Sequence, residues 1–247
     1  GAYGQSKYYG MVKCIDDNVG KILQCLRALK LMDNTIVIFT ADHGDLRGEH
    51  HRHNKGVPLE GSAKVPFVVY YPAKIKAGTI VKEALGTVDF LPTIINMMDA
   101  KTAGREEGRD ASQLFTKGKA PDGWKDVTFV RGTGGQAANW LGAFTGRYKF
   151  IVSPRDIPWL IDMEKDPDEL KNFFLDPECR PIVRDLAAEL IAYGQKYKDD
   201  RTSNPKIKAD LAWSATGKGK FTPTAPTVSP KAPAGGKRKG KKRKVKQ

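Results

Sequence analysis

The chain has 247 residues, 40% of them hydrophobic and 28% charged, a composition that excludes a disordered or fibrous protein and allows a sizeable core. No apolar run approaches the roughly 20 residues that a membrane-spanning helix needs. The formal net charge is +14, but it is concentrated in residues 231–247, so the body of the chain is only mildly basic. The chain begins without a methionine or the features of a signal peptide, which indicates a fragment or a processed product.

An amphipathic helix is predicted over residues 8–29, where apolar residues recur at steps of three and four. Cys14 and Cys25 lie on this helix about three turns apart, too far for a disulfide within it. With Cys179 far along the chain, all three cysteines are expected to be free and buried.

The next element is a short strand at residues 36–39, which follows the turn signal Asp33-Asn34. Its continuous apolar character predicts a strand that is buried on both faces, as in a parallel sheet. A helix that leads into such a strand is typical of an α/β fold.

Polar residues follow this strand, and ligands bind at the carboxyl ends of strands in open α/β sheets. The carboxylate of Asp42 and the imidazole of His43 could hold a divalent cation there, and Lys55 could contact an anionic group. The alternative is that these are ordinary turn or helix-capping residues. For His51 and His53 we favour a solvated loop, because no cysteine lies near and the spacing matches no zinc site.

Further along, a strand is predicted at residues 65–71 and a helix at 89–98. A crossing segment at 101–126 leads to short strands joined by tight turns, which predict an antiparallel sheet. These strands cover residues 127–131, 140–145, 148–152 and 159–162. A last helix at 181–197 is expected to pack on that sheet.

From residue 201 the apolar pattern fails, and residues 201–247 are predicted to be a disordered tail rich in Lys, Pro and Gly. The dense basic run at residues 237–246 could bind a polyanion such as nucleic acid, an anionic membrane surface or a sulfated polysaccharide. The alternative is a solvated tail with no specific partner.

Several motifs in one order resemble the second half of a sulfatase, a family of the alkaline phosphatase superfamily. They include the Asp-His pair after the buried strand and a later Asp-Pro-x-Glu segment. The motifs occupy residues 40–45, 48–50, 55–56, 60–69, 88–95 and 160–170. The similarity extends, with gaps, from about residue 8 to about residue 198.

The resemblance implies an α/β fold: part of a sandwiched mixed or parallel sheet with flanking helices, then a smaller antiparallel sheet with one helix. The corresponding division is a catalytic-domain portion at residues 1–105, a C-terminal subdomain at 106–200 and the basic tail at 201–247. Family members are commonly secreted, periplasmic or lysosomal, and the sequence leaves the compartment open.

The resemblance also implies a site for hydrolysis of a sulfate ester, a sulfated glycan being one such substrate. Asp42 and His43 would be two ligands of a catalytic calcium, or of manganese or another divalent metal. Lys55 would contact the sulfate group, and His50 would have a supporting role. The family's nucleophile, a formylglycine, comes from an upstream segment that these residues do not contain, so the chain alone is predicted to be inactive.

Two other functions fit the sequence. A phosphonate monoesterase or phosphodiesterase of the same superfamily would use the same Asp-His and Lys residues. A non-catalytic polyanion-binding protein would use the body as a scaffold and the basic tail for its contacts.

Overall fold

The computed structural model describes residues 2–101, 104, 106–132 and 139–219. They form a mixed α/β structure with two antiparallel sheets. The helices are α1 (Ala2–Ala28), α2 (Glu60–Ala63), α3 (Phe90–Met97), α4 (Ser112–Thr116), α5 (Arg180–Tyr197) and α6 (Pro205–Thr216). The strands are β1 (Val37–Thr40), β2 (Phe67–Tyr70), β3 (Thr128–Arg131), β4 (Leu141–Phe144), β5 (Tyr148–Val152) and β6 (Trp159–Asp162). The predicted α/β class is confirmed, and within the described residues no helix is long and apolar enough to span a membrane.

The first half of the structure contains α1 and the two-stranded sheet of β1 and β2, which pair antiparallel with Thr40 opposite Phe67. The expectation of double burial in a parallel sheet was wrong for β1, since its residues are half-buried or exposed and Phe39 is 47% exposed. A continuous apolar run indicates a strand but gives neither the direction nor the number of its neighbours, and β1 has a single neighbour among the described residues.

The inner face of this sheet packs on α3 and α4. Phe67 of β2 stacks on Phe90 at 4.2 Å between ring centroids, and Met97 and Leu114 are buried beside them. Helix α3 is preceded by a turn at Thr87–Asp89. The carboxylate of Asp89 accepts a 3.1 Å hydrogen bond from the Gly86 backbone NH, which closes the turn that leads into the helix.

The second half contains the predicted antiparallel sheet, in the order β3-β4-β5-β6. We call this sheet, with α5 and α6, the C-terminal subdomain. One face packs on the two helices around Phe150, Leu160 and Val183. The opposite face packs around Ile151 on the loop that follows β1, which contributes Leu46 and Leu59. The C-terminal subdomain therefore contacts the loop that carries the predicted site residues.

Helix α6 contradicts the prediction that the chain is disordered from residue 201. The Asn204 side chain caps it by accepting hydrogen bonds from the backbone NH groups of Lys206 and Ile207, at 3.0 and 3.3 Å, and Pro205 occupies a first-turn position that tolerates proline. Ile207 and Leu211 are buried, which secures the helix to the sheet. The basic run at 237–246 lies outside the described residues.

The cysteines are free, as predicted, but burial is confirmed only for Cys179. Cys14 and Cys25 are exposed because they lie on α1, much of whose surface faces solvent in this structure.

Candidate functional site

Asp42 and His43 follow β1 after a single residue, Ala41, and their side chains face each other. Asp42 Oδ2 lies 3.3 Å from His43 Nε2, while Asp42 Oδ1 accepts a 2.9 Å hydrogen bond from the His43 backbone NH. The side chain of Asp42 is 84% exposed and that of His43 is 40% exposed. The structure thus brings the two predicted metal ligands together on an accessible surface.

The orientation of the His43 ring bears on whether this pair fits a cation. His43 Nδ1 is 2.8 Å from the carbonyl oxygen of Gly44, which can only accept a hydrogen bond, so Nδ1 carries the hydrogen. In the neutral ring Nε2 then presents its lone pair to the carboxylate, and two acceptors at 3.3 Å repel each other unless a cation or proton lies between them. An imidazole nitrogen and a carboxylate oxygen are both donors that a divalent cation accepts, so the pair would suit such an ion as well as a shared proton.

These two residues do not complete a metal site by themselves. Among the described residues, no group of three or more His, Cys, Asp and Glu side chains has an arrangement that could hold a metal ion. Asp42 and His43 would accordingly be two ligands of a site that needs further donors, since calcium takes six to eight oxygen ligands.

Helix α2 connects the Asp42–His43 turn with the segment that carries Lys55. The Gly44 backbone NH donates to the Ser62 carbonyl oxygen at 3.0 Å, and the Gly56 backbone NH donates to Ser62 Oγ at 3.0 Å. A Cβ at Gly44 would lie 2.1 Å from the Gly61 carbonyl oxygen, so no side chain fits there. The residues next to His43 and next to Lys55 are thus both fixed to the same serine.

Lys55 is exposed, between Asn54 and Gly56, which both have positive φ angles. The Gly56 carbonyl oxygen accepts a 2.9 Å hydrogen bond from Trp140 Nε1, a side chain that is itself buried. No carboxylate of the described residues pairs with Lys55. Its charge is therefore available to an anion, although its predicted contact with sulfate stays a prediction.

His50 lies apart from Asp42, His43 and Lys55. It is half-buried, with φ of 50°, and it lines a cleft of about 750 Å³ between α2 and the turn at residues 167–170. Asp42, His43 and Lys55 are not among the described residues that line this cleft. The structure does not bring His50 together with the other site residues, and its supporting role stays a prediction. His51 and His53 are exposed.

A buried ion-pair network that the sequence did not predict joins the start of α2 to β5 and to the turn at residues 167–170. Lys149 Nζ lies 2.5 Å from Glu60 Oε1 and 2.7 Å from Glu169 Oε1, and Glu169 Oε2 accepts a 2.7 Å hydrogen bond from the Glu60 backbone NH. The side chains of Lys149 and Glu169 are almost fully buried. A lysine inside the apolar strand β5 was the available signal, because buried lysines are nearly always paired.

The charges in this network set the ionisation of Glu60. Burial raises the pKa of the Glu60 carboxyl, but the hydrogen bonds and positive charges of Lys149 and Lys64 together outweigh it, so the pKa lies below its ordinary value. Glu60 is therefore a carboxylate at neutral pH, paired to lysines on both sides.

The chain is similar in sequence to known sulfatases. Residues 5–100 match the family model Sulfatase. The chain is 30% identical over 207 residues to an arylsulfatase of Clostridium perfringens, a match that covers 82% of this chain and 42% of that protein. The chain thus spans less than half the length of this relative.

Solved structures give the same result. One, in complex with its substrate D-glucosamine-2-N,6-O-disulfate, is 28% identical with a TM-score of 0.66 and covers 76% of this chain and 40% of that chain. A phosphonate monoester hydrolase of Agrobacterium radiobacter is 28% identical with a TM-score of 0.63, at coverages of 76% and 40%. The chain therefore belongs to the sulfatases of the alkaline phosphatase superfamily and matches the C-terminal portion of that family.

Proposed function

We propose that the protein hydrolyses sulfate esters and that this chain supplies the C-terminal part of the active site. The observation that carries the proposal is the Asp42–His43 pair after β1, together with Lys55, which no carboxylate of the described residues pairs with and whose segment contacts the same helix α2. The similarity to an arylsulfatase supports the reaction class.

Asp42 and His43 would hold a calcium ion, with manganese or another divalent metal as the alternative. Calcium prefers oxygen donors, so Asp42 is a typical ligand and His43 a less typical one. The ion would supply a positive charge that polarises the sulfuryl group. The Gly44 carbonyl fixes the His43 tautomer that leaves Nε2 free for such a role.

Lys55 would bind an oxygen of the sulfuryl group and neutralise charge that develops during the transfer, as fixed cations do in phosphoryl and sulfuryl transfer. A formylglycine supplied from outside these 247 residues would provide the nucleophilic oxygen. The chain by itself is therefore proposed to be inactive. Turnover of sulfate esters by the purified 247-residue chain would contradict this.

The substrate class we propose is a sulfated glycan, on the similarity to the protein solved with a glucosamine disulfate. The second candidate is a phosphonate monoester or phosphodiester, which the similarity to the Agrobacterium hydrolase favours.

The test uses the protein from its native source with an aryl sulfate, a 6-O-sulfated glucosamine and an aryl phosphodiester as substrates. A sulfatase gives the highest kcat/KM on one of the two sulfates and loses activity when the divalent metal is chelated. Higher kcat/KM on the phosphodiester would favour the second candidate, and no metal-dependent turnover of any substrate would remove both.

A further inference from the structure

We infer that Lys149 of β5 and Glu169, in the segment between β6 and α5, are positioning residues for the site at Asp42, His43 and Lys55, and that they act through α2. The inference rests on the proposed function for its catalytic consequence. Glu169 is the last residue of the Asp-Pro-x-Glu segment, which contributes no proposed metal ligand or substrate contact. The inference gives this segment a role.

The carboxylate of Glu169 links β5 to the start of α2. Its Oε1 pairs with Lys149 Nζ at 2.7 Å, and its Oε2 accepts a 2.7 Å hydrogen bond from the Glu60 backbone NH. Lys149 in turn reaches Glu60 Oε1 at 2.5 Å. The first residue of α2 is therefore fixed through its backbone and its side chain by two residues of another part of the fold. Charge-assisted hydrogen bonds are short and directional, so they define orientation as well as distance.

The orientation of α2 depends on contacts of this kind. It has four residues, Glu60–Ala63, and so short a helix has almost no intrinsic stability. Its orientation must be set by tertiary contacts, and the network provides the polar ones at its N-terminal end. Buried ion pairs add little net stability compared with apolar side chains of the same size. The ion pairs fix the direction of α2, which apolar side chains in their place would not do.

Ser62 connects α2 to the two segments that carry the site residues. Ser62, two residues after Glu60, accepts the backbone NH groups of Gly44 and Gly56. Gly44 directly follows His43, and Gly56 directly follows Lys55. A rotation of α2 therefore moves the metal-binding turn and the anion-binding lysine at the same time.

The packing leaves little room for these segments to move independently. A Cβ placed on Gly61 would lie 2.3 Å from Glu49 Oε2, and one placed on Gly44 would meet the Gly61 carbonyl oxygen. Because the backbones are in direct contact, a displacement at Glu60 is passed on to Gly44. A misplacement of about 1 Å costs an enzyme on the order of 100-fold in rate.

Glu169 itself adopts a costly conformation. Its φ is 54°, a left-handed value that is unfavourable for a residue other than glycine. Its side chain nevertheless reaches two partners of the network from this turn. The strain is compensated by the contacts to Lys149 and Glu60.

The test compares two variants of the native protein, Glu169→Gln and Lys149→Met, with two matched controls. The controls are Asp210→Asn and Lys206→Met, which change a 2.6 Å ion pair within α6, a helix that packs on the other face of the sheet. We measure thermal stability, hydrogen exchange of the Gly44, Gly56 and Glu60 amides, and kcat and KM on the best sulfate ester. Glu169→Gln keeps the size of the side chain, so it remains informative should Lys149→Met fail to fold.

We expect the network variants to speed exchange at all three amides and to lower kcat about 10- to 100-fold, with a smaller change in KM. The controls should lose comparable stability without either effect. Unchanged exchange at Gly44 and Gly56 in Glu169→Gln would overturn the inference, as would faster exchange with unchanged kcat. Faster exchange in a protein that turns over no sulfate ester would support the coupling through α2 and overturn only the proposed function.

Discussion

The C-terminal subdomain and the region that contains α1, β1 and β2 differ in how they bury their apolar residues. In the subdomain, Phe150 and Leu160 are inaccessible to solvent, and both faces of the sheet are covered. In the other region, Ile15 of α1 and Val68 of β2 are more than half exposed. The candidate site thus lies in the part of the chain with the weaker core, and its contacts with the subdomain stabilise its loop.

The charged residues of the two regions differ in the same way. Asp42 and Lys55 are exposed and available to ligands, whereas Asp162 and Lys149 are buried and paired within the protein. From this contrast we expect substitutions in the first region to change activity and substitutions in the second to change stability or geometry.

The largest effect is expected for Asp42→Ala, which removes a proposed metal ligand. We predict a loss of about 1,000-fold or more in kcat/KM of the native protein, because the charge that polarises the substrate would be displaced. With the metal removed from both proteins by a chelator, their melting temperatures should be the same, since the Asp42 side chain is 84% exposed. Metal content and kcat/KM measured on the same sample check this, and activity near the parent level would remove the metal assignment.

Lys55→Ala should lower kcat/KM by about 100- to 1,000-fold, because one fixed cation at a developing charge contributes about that much. Lys21→Ala, an exposed lysine on α1, is the control and should leave the rate unchanged. Equal rates for the two variants would mean that Lys55 does not contact the reacting group.

Asp162→Asn tests the role of a buried, paired charge in the C-terminal subdomain. Arg147 Nε and Nη2 each donate to Asp162 at 2.8 Å, and this guanidinium is the main cause of the lowered pKa of the Asp162 carboxyl. We predict a loss of about 2 to 3 kcal/mol in the free energy of unfolding, below the cost of a fully buried pair because Arg147 is partly exposed. Denaturant unfolding measures it. The kcat of the folded fraction should be unchanged, and a parallel loss of kcat would show that the two regions are less separate than their burial indicates.

A smaller effect is expected on the pH dependence of stability, through Glu60, which pairs with Lys149 of the C-terminal subdomain. The pKa of Glu60 is lower in the folded protein, so its contribution is complete above the unfolded-state value of about 4.3 and is lost as the pH falls through the folded-state value. Melting temperatures taken from about pH 6 to about pH 3 should fall less steeply in Glu60→Gln than in the parent protein. Identical slopes would contradict the pairing with Lys149.

The smallest effects are expected on the exposed apolar surface. In the 247-residue chain, Ile15→Gln and Val68→Thr should each change the free energy of unfolding by less than about 0.5 kcal/mol, because neither side chain is buried. Phe150→Ala, in the core of the subdomain, should cost about 3 to 5 kcal/mol in the same measurement. A large loss in Val68→Thr would show that this face is covered in solution.

The sequence was sufficient for features that depend on local patterns. The apolar repeats predicted α1, and the short runs between turns predicted the four strands of the second sheet. Helix α6 was missed although Asn204 and Pro205 form a helix start and Ile207 and Leu211 share one face. The high content of Lys and Gly further on outweighed that signal.

The candidate site was predictable only in part, for a physical reason. Asp42 and His43 are adjacent in the chain, so their pairing after a strand follows from local sequence. The network is non-local, because Lys149 lies 89 residues after Glu60 and 20 residues before Glu169. Many carboxylates could have paired with that lysine, and only the packing of the sheet on the loop selects these two.

The hydrogen bond between Trp140 and Gly56 has a practical consequence. The indole lies 2.9 Å from the carbonyl of the residue that follows Lys55, and it is one of four tryptophans in the chain. Indole fluorescence responds to hydrogen bonding and to nearby charge, so the protein carries its own optical reporter of the segment that contains Lys55. With Trp124, Trp159 and Trp213 replaced by phenylalanine, the emission of a single fluorophore would follow the arrival of a sulfate ester or a metal in real time.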